Sequence, residues 1–337
     1  MRLTILGVAF VLMLASGCSQ FNKKNYVAVG GYEYCRASDG KVVAYDKQCK
    51  DDKKVFIDEL ISDITPNANA VTLWINRDWE ESWYKIEDIQ SKIIDRGYTP
   101  IFVFYWFADD ISPSFVKQRK LDYLVDLRKM IWFLDQLDGE KIVILNPEFN
   151  ENGIEGYEPF NDLLIESINL VKQVKQTKVS FCIGDFGNYQ KVSDEDNWKV
   201  FHPSVHRAIQ QVDFITFQEM RGSTRNKPEE ILKTPERSLA FAKYLTETYQ
   251  KPTFLAYLAL PSYGENGLKI QEQVYQGFAE LMPKFVKQGN LVGFNSFHLM
   301  DVPHHVGYFN EAEKHFGLID SQGQPKPALK QFQKIHF

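Results

Sequence analysis

Cysteine and histidine are scarce in this chain, which contains 4 Cys and 7 His among its 337 residues. Such low numbers do not suggest a metal-rich protein, and the spacing of His298, Asp301, His304 and His305 matches no common metal site. A surplus of positive charge is also absent, because 39 Lys and Arg residues are outnumbered by 44 Asp and Glu residues. We therefore expect no metal ion, no other cofactor and no nucleic-acid partner.

Long hydrophobic runs are also missing, apart from residues 3–15 at the N-terminus. This run follows one positive residue, Arg2, and is too short for a comfortable membrane span, but it has the shape of a secretory signal. It ends in the letters ASGC at Cys18, and small residues directly before a cysteine resemble the processing site of bacterial lipoproteins. The alternative is an ordinary signal peptide with an incidental cysteine.

The resemblance to lipoproteins implies that Cys18 becomes the lipidated first residue of the mature protein. Residues 1–17 would then be the signal peptide, and residues 18–25 would be a short tether. Because Ser19 rather than Asp follows the cysteine, nothing signals retention in the inner membrane. We expect a protein of the bacterial cell envelope that its lipid anchors to the outer membrane, on the periplasmic or the surface face.

Export would place the remaining cysteines where disulfides persist. Cys35 and Cys49 flank the polar segment RASDGKVVAYDKQ, and a disulfide between them would close it. Cys182 lies in the apolar stretch VSFCI, which predicts a buried free thiol, with a nucleophilic cysteine as the alternative.

Eight short runs dense in Val, Ile, Phe and Tyr alternate with segments of helical spacing, as parallel strands covered on both faces do. The runs are residues 26–31, 70–75, 100–106, 141–146, 178–183, 212–217, 252–258 and 291–297. Eight strand–helix repeats favour a closed (β/α)8 TIM barrel. No Gly-x-Gly-x-x-Gly turn follows the first run, which disfavours a dinucleotide-binding fold. No linker divides the chain, so residues 26–337 are expected to form a single barrel domain.

The chemistry of such a barrel lies at the carboxyl ends of its strands. Carboxylates, amides and aromatic residues follow most of the eight runs, and sugars need this mixture for their hydroxyl groups and apolar faces. A glycine-rich cradle and a Lys/Arg cluster are missing from these ends, which makes phosphate chemistry a poorer explanation. The residues expected to bind a sugar substrate are Tyr105, Trp106, Asn146, Gln218, Tyr257 and His298.

The segment Asn146-Pro147-Glu148, which closes the fourth run, resembles the (β/α)8 glycoside hydrolases, as does the GLID segment before the last helix. In the large retaining clan of that superfamily the fourth strand ends in Asn-Glu, and the Glu is the general acid/base. The resemblance implies that Glu148 is the catalytic acid. It also implies that Asn146 contacts the sugar 2-hydroxyl and that His298 contacts the substrate.

The chain departs from that clan at the seventh run, where Tyr257 stands near the position of the clan's nucleophilic Glu. A second carboxylate must then come from elsewhere. Glu219 is the first candidate, because residues 212–219 resemble the sixth strand of chitinase-like barrels, which ends in a polar pair facing the sugar. Asp185 is the second candidate, because it follows the neighbouring strand and would raise the pKa of Glu148 by like-charge repulsion.

The sequence thus predicts a glycoside hydrolase that cleaves a polysaccharide or another glycan by carboxylate acid/base catalysis. The missing Glu of the seventh run motivates an alternative, a barrel that binds glycans without cleaving them. A third possibility is a structural envelope lipoprotein whose barrel mouth is empty.

Overall fold

The structure is a computed structural model and describes residues 24–45, 47–150 and 152–337. The predicted signal peptide, Cys18 and most of the predicted tether lie outside the described residues. The strands are β1 (Tyr26–Gly30), β2 (Glu33–Arg36), β3 (Val42–Ala44), β4 (Lys54–Phe56), β5 (Ala70–Asn76), β6 (Thr99–Tyr105), β7 (Lys141–Leu145), β8 (Thr177–Gly184), β9 (Ile215–Met220), β10 (Thr253–Ala259), β11 (Leu291–Ser296), β12 (His298–Met300) and β13 (Gly317–Ile319).

Helices connect most of the strands. The α-helices are α1 (Asp58–Ile64), α2 (Ile86–Ile89), α3 (Pro113–Asp135), α4 (Glu158–Val171), α5 (Glu195–Trp198), α6 (His202–Ala208), α7 (Pro228–Leu232), α8 (Thr234–Tyr249), α9 (Gly267–Gln288) and α10 (Pro327–Phe332). A π-helical turn, Gln90–Ile94, continues α2, and short 3-10 turns occupy several loops. In the described part of the chain, no helix is long and apolar enough to cross a membrane.

Strands β1 and β5 to β11 form a closed barrel of parallel strands, and β11 pairs with β1 to close it. This confirms the predicted (β/α)8 TIM barrel. Each of the eight apolar runs contributes a barrel strand. The sixth strand differs most from its predicted bounds, because the run at residues 212–217 becomes β9 at Ile215–Met220. The shift brings Gln218 and Glu219 into the strand, where neighbouring side chains point to opposite faces.

Two apolar layers follow from this alternation of side chains. Side chains such as Ile101, Val103 and Ile144 fill the inside of the barrel, together with the buried free thiol of Cys182. Their neighbours along the strands, such as Phe102, point outward and pack against the helices. Because side chains fill the inside of the barrel, a ligand can bind only at the ends of its strands.

A small antiparallel sheet interrupts the barrel between β1 and α1. Its strand order is β3-β2-β4, and a disulfide joins Cys35 to Cys49 across it. Tyr34 and Val55 attach the sheet to the outer apolar layer. The disulfide thus closes the polar segment that the two cysteines flank in the sequence.

Candidate active site

A cleft opens at the carboxyl ends of the barrel strands and consists of two adjoining cavities. The first cavity has a volume of about 620 Å³, and the second cavity has a volume of about 490 Å³. Both lie within the range of roughly 300–1,000 Å³ that is common for ligand sites. The residues that line both cavities are Tyr105, Asp109, Glu148, Met220 and Tyr308. Glu148 therefore stands where the two cavities meet.

The backbone after β7 is strained in a way that directs Glu148 into the cleft. Asn146 has a φ of 46° and Glu148 a φ of 62°, both in the left-handed region that residues with a Cβ adopt at an energetic cost. The Glu148 amide donates a hydrogen bond of 3.1 Å to the carbonyl oxygen of Cys182 in β8. This bond across two strands holds the turn, and the turn fixes the direction of the Glu148 side chain.

The Glu148 carboxyl group accepts a short hydrogen bond from the hydroxyl group of Tyr257 in β10. Removal from water raises the pKa of Glu148 to about 7, and the negative charges of Asp109 and Glu313 act in the same direction. The Tyr257 hydrogen bond opposes this rise because it favours the ionised form. A carboxyl group with such a pKa can hold and release a proton near neutral pH, which is the requirement for a general acid.

Tyr105 and Asp109 form a second polar pair beside Glu148. The Tyr105 hydroxyl group donates a hydrogen bond of 2.6 Å to Asp109 Oδ1. Burial raises the pKa of Tyr105 well above its usual range, and the charges of Glu148 and Asp109 add to the effect. The phenol is therefore neutral at physiological pH and acts as a fixed hydrogen-bond donor.

Aromatic rings form one wall of the second cavity. The Trp74 ring packs edge-on against Tyr105, Tyr257 and Phe297, with centroid distances of 5.7, 5.2 and 5.3 Å. Trp74 is partly exposed, and its ring extends from the end of β5 into the cleft wall. Such a wall offers an apolar surface on which one face of a sugar ring can lie.

Trp106, which the sequence suggested as a sugar platform, does not face the cleft. It is 0% exposed, its Nε1 donates a hydrogen bond of 2.6 Å to Asp126, and its ring packs against Phe107 and Tyr123. The cause is its position directly after Tyr105, because consecutive residues at a strand end point to opposite sides. The tryptophan that lines the cleft is Trp74, which the sequence analysis did not select.

His298 lies in the wall of the second cavity, as the sequence predicts for a residue near the mouth. Burial and the neighbouring His305 lower its pKa to about 3, so its imidazole ring is neutral. Its Nε2 has no hydrogen-bond partner among the described residues. His305 is engaged with Glu313, at 3.0 Å between Nε2 and Oε2. A neutral His298 is suited to exchange a hydrogen bond with a hydroxyl group.

The two predicted amide contacts have different surroundings. Gln218 lines the first cavity, and its Oε1 has no hydrogen-bond partner in the described part of the protein. Asn146 lines neither cavity and is 2% exposed. Its Nδ2 donates a hydrogen bond of 3.2 Å to the Tyr123 hydroxyl group of α3. The expected contact between Asn146 and a sugar is therefore not supported, because the left-handed backbone at this residue turns the amide behind the cleft.

Asp185 and Glu219 do not meet Glu148 in the cleft. Both side chains are 0% exposed, and neither lines a cavity. Arg237 of α8 binds Asp185 through two hydrogen bonds of 2.6 and 2.7 Å, and Arg221 lies 2.9 Å from Glu219. Glu219 follows the inward-facing Gln218 in β9 and therefore points outward toward α8.

The sequence-based role of Asp185 as the neighbour of Glu148 also needs correction. The charges that raise the pKa of Glu148 belong to Asp109 and Glu313. Asp109 follows β6 in the segment YWFADD, and Glu313 lies in the 3-10 turn Asn310–His315, about 165 residues beyond Glu148 in the chain. An acidic pair a few residues after a strand is a signal that identifies Asp109 as a rim residue, whereas Glu313 has no comparable signal.

No group of three or more His, Cys, Asp or Glu side chains in the described ranges is arranged to hold a metal ion. His305 is paired with Glu313, and Asp301 with Lys326 at 2.5 Å, so these side chains of the C-terminal segment are engaged within the protein.

No protein-family model matches the chain, and no curated protein matches it. Solved structures do match. A fungal β-1,4-galactanase structure aligns with a TM-score of 0.62 and 12% identity over 92% of this chain and 99% of that chain. A GH5_18 structure from Bifidobacterium longum subsp. infantis has a TM-score of 0.53 and 14% identity over 79% of this chain and 69% of that chain.

A hyperthermophilic β-glucosidase from Pyrococcus furiosus also aligns, with a TM-score of 0.54 and 13% identity over 83% of each chain. A variant of a GH5_18 protein from B. longum subsp. longum was solved in complex with Manβ1-4GlcNAc. Its structure aligns with a TM-score of 0.52 and 15% identity over 82% of this chain and 71% of that chain. These neighbours are glycoside hydrolases, and at such identities the likeness is one of fold. The chain thus shares the TIM-barrel fold of these solved structures.

Proposed function

We propose that this protein is a glycoside hydrolase that cleaves O-glycosidic bonds of a polysaccharide or another glycan, with Glu148 as its general acid. The observation that carries the proposal is the position of Glu148 at the junction of the two cavities, with a pKa of about 7. Such a carboxyl group holds its proton near neutral pH and transfers it to the leaving oxygen as the bond breaks. Tyr257 is a positioning residue, because its hydrogen bond orients the carboxyl group.

The walls of the cleft support a glycan as the substrate. Trp74 and Phe297 supply apolar ring surfaces in the second cavity, while Gln218 and His298 supply buried polar atoms without protein partners in the described ranges. Buried polar groups are normally paired, so a ligand with many hydroxyl groups would satisfy them. Because a cavity lies on each side of Glu148, we propose that sugar units occupy both cavities and that the bond between them is cleaved.

The first prediction is that Glu148→Gln lowers turnover on the true substrate by about 10²- to 10⁴-fold, because the amide cannot donate the catalytic proton in the same way. The substrate is to be found by incubating the protein with a panel of bacterial and plant polysaccharides and measuring released reducing ends. Glu265→Gln is the matched control, since Glu265 is exposed and lines neither cavity. Full activity of Glu148→Gln would refute the assignment.

One observation favours a second candidate function, a barrel that binds glycans without cleaving them. Strand β10 ends in buried apolar residues, and Tyr257 is its polar side chain in the cleft, so this strand supplies no carboxylate. In that case calorimetry would detect glycan binding to the wild-type protein while no reducing ends appear. Trp74→Ala would then weaken binding, because it removes a ring from the wall of the second cavity.

We also propose that a lipid on Cys18 attaches the protein to the outer membrane of the bacterial cell envelope. Lys24, which follows the predicted signal by a few residues, donates a hydrogen bond of 2.7 Å to Thr99 at the start of β6. Its ammonium group also lies 3.1 Å from Glu140, directly before β7. The tether would thus join the barrel at the amino ends of its strands, and the cleft at the carboxyl ends would face away from the membrane.

A further inference from the structure

We propose that Asp109 is the second catalytic carboxylate and that it acts as the general base that activates the attacking water. This inference rests on the proposed glycoside hydrolase function. It replaces the two carboxylates that the sequence suggested, because Asp185 and Glu219 are buried against arginines outside the cleft.

Elimination among the described residues leads to Asp109. The carboxylates that line the cleft are Asp109, Glu148, Glu230 and Glu313. Glu313 accepts a hydrogen bond from the amide of Phe309, and its other oxygen lies 3.0 Å from His305. Glu230 accepts a hydrogen bond from the amide of Lys227 at the start of α7, and it lines the first cavity but not the second. Asp109 and Glu148 line both cavities and therefore stand together at their junction.

The turn that carries Asp109 is held in one conformation. Ala108 has a φ of 48°, a left-handed conformation that persists when surrounding contacts impose it on a residue with a Cβ. Directly after Ala108, Asp109 accepts a hydrogen bond from the Tyr105 hydroxyl group, and Asp110 lies 3.0 Å from Arg77. The Arg77 guanidinium group itself packs over the Phe115 ring at 5.2 Å. A catalytic carboxylate needs this kind of fixed direction.

The two carboxyl groups have different surroundings, as an acid and a base require. Glu148 is withdrawn from water, whereas Asp109 is exposed and accepts a hydrogen bond from a neutral phenol. The negative charge of Asp109 is one cause of the raised pKa of Glu148. The charge of Asp109 thereby helps to keep the proton on Glu148.

The position of Tyr105 favours a base over a nucleophile. Its hydroxyl group is bonded to Asp109, and Tyr105 lines both cavities together with Glu148, so the phenol lies beside both carboxyl groups. We infer that this ring keeps the two groups far enough apart for a water molecule. Inverting enzymes separate their carboxyl groups by about 6.5–9.5 Å for that purpose.

The resulting step balances as follows. Water attacks the anomeric carbon, and Asp109 takes a proton from that water. The bond from the anomeric carbon to the leaving oxygen breaks, and Glu148 gives its proton to that oxygen. One water is consumed, the new hydroxyl group has the opposite anomeric configuration, and proton exchange with solvent restores both carboxyl groups. Tyr105 is a positioning residue in this step.

The experiment compares Asp109→Asn with the wild-type protein on a substrate that the polysaccharide panel identifies. We expect kcat to fall about 10²- to 10⁴-fold while KM changes little, because the base acts in the transition state. Added sodium azide should restore turnover, since azide attacks without losing a proton. Proton NMR of wild-type products at early times should detect inverted configuration. Asp78→Asn, an exposed aspartate of a nearby loop that lines neither cavity, is the control.

The possible failures are distinguishable. If Asp109→Asn keeps its activity while Glu148→Gln loses it, Asp109 is not the base, and the proposed function stands. Products of retained configuration, or loss of activity that azide does not restore in a variant with a wild-type thermal transition, would also overturn the role of Asp109 as base. If the wild-type protein releases no reducing ends from any substrate, the proposed hydrolase function itself is refuted.

Discussion

The carboxyl group of Glu148 is held between one hydrogen-bond donor and two negative charges, and the balance among them sets its pKa. Tyr257 favours the ionised carboxylate, whereas burial, Asp109 and Glu313 favour the protonated form. Burial and the two negative charges outweigh the Tyr257 hydrogen bond and raise the pKa of Glu148 to about 7. At the scale of single residues, the proton affinity of this carboxyl group thus depends on how deeply it is withdrawn from water.

The prediction at the scale of single residues concerns Tyr257→Phe. Removing the hydroxyl group removes the interaction that lowers the pKa of Glu148, so this pKa should rise further above 7. A general acid works only while protonated, and the alkaline limb of the pH profile of kcat/KM should therefore move to higher pH. The profile is measured on reducing-end release, with Tyr263→Phe as a control outside both cavities. A shift of this limb to lower pH would contradict the assignment.

At the scale of secondary structure elements, the first cavity depends on an ion network behind its wall. Asp185 follows β8, Glu219 lies in β9 and Arg237 lies in α8, so their contacts join three elements. Arg221 completes the network, and its guanidinium group lies 3.7 Å from the centroid of the Tyr189 ring, which lines the first cavity. These charges therefore lie behind the wall of the cleft, paired with one another.

The prediction for this network is that Arg237→Met lowers the free energy of unfolding by about 3–5 kcal/mol, because it leaves the buried Asp185 without its bidentate partner. Urea denaturation followed by circular dichroism measures the change. Lys243→Met in the same helix is the control, since its exposed pair with Glu247 should contribute less than about 1 kcal/mol. Equal effects of the two substitutions would show that the buried pair has no special structural role.

At the scale of the whole molecule, the cleft and the entry of the described chain lie at opposite ends of the barrel. The strands end at the cleft, whereas the described chain enters at the opposite end through Lys24, Thr99 and Glu140. A membrane anchor at that end would leave the cleft open to large substrates.

The corresponding prediction is that wild-type protein expressed in a bacterial host incorporates labelled palmitate and sediments with membranes, while Cys18→Ala loses both properties. Cys182→Ala should keep the label, because that thiol is buried inside the barrel. Unchanged labelling of Cys18→Ala would refute lipidation at this residue.

The sequence predicted much of the fold and part of the site. The barrel and its eight strands follow from apolar runs that are local in the chain, and Tyr105, Gln218, Tyr257 and His298 do line the cleft with Glu148. Trp106, Asn146, Asp185 and Glu219 do not, although each lies within a few residues of a strand end. The strand positions were therefore predictable, but the directions of individual side chains were not.

By itself the sequence determined the alternation of strands and helices, because the spacing of apolar residues along the chain dictates which segments can be buried on both faces. Only the tertiary structure decided which of two adjacent residues, such as Gln218 and Glu219, faces the cleft. A one-residue difference in where a strand ends reverses the direction of its side chains. Whether a carboxylate is available to a ligand or permanently paired depends in turn on residues far along the chain. Arg237, for example, is the partner of Asp185.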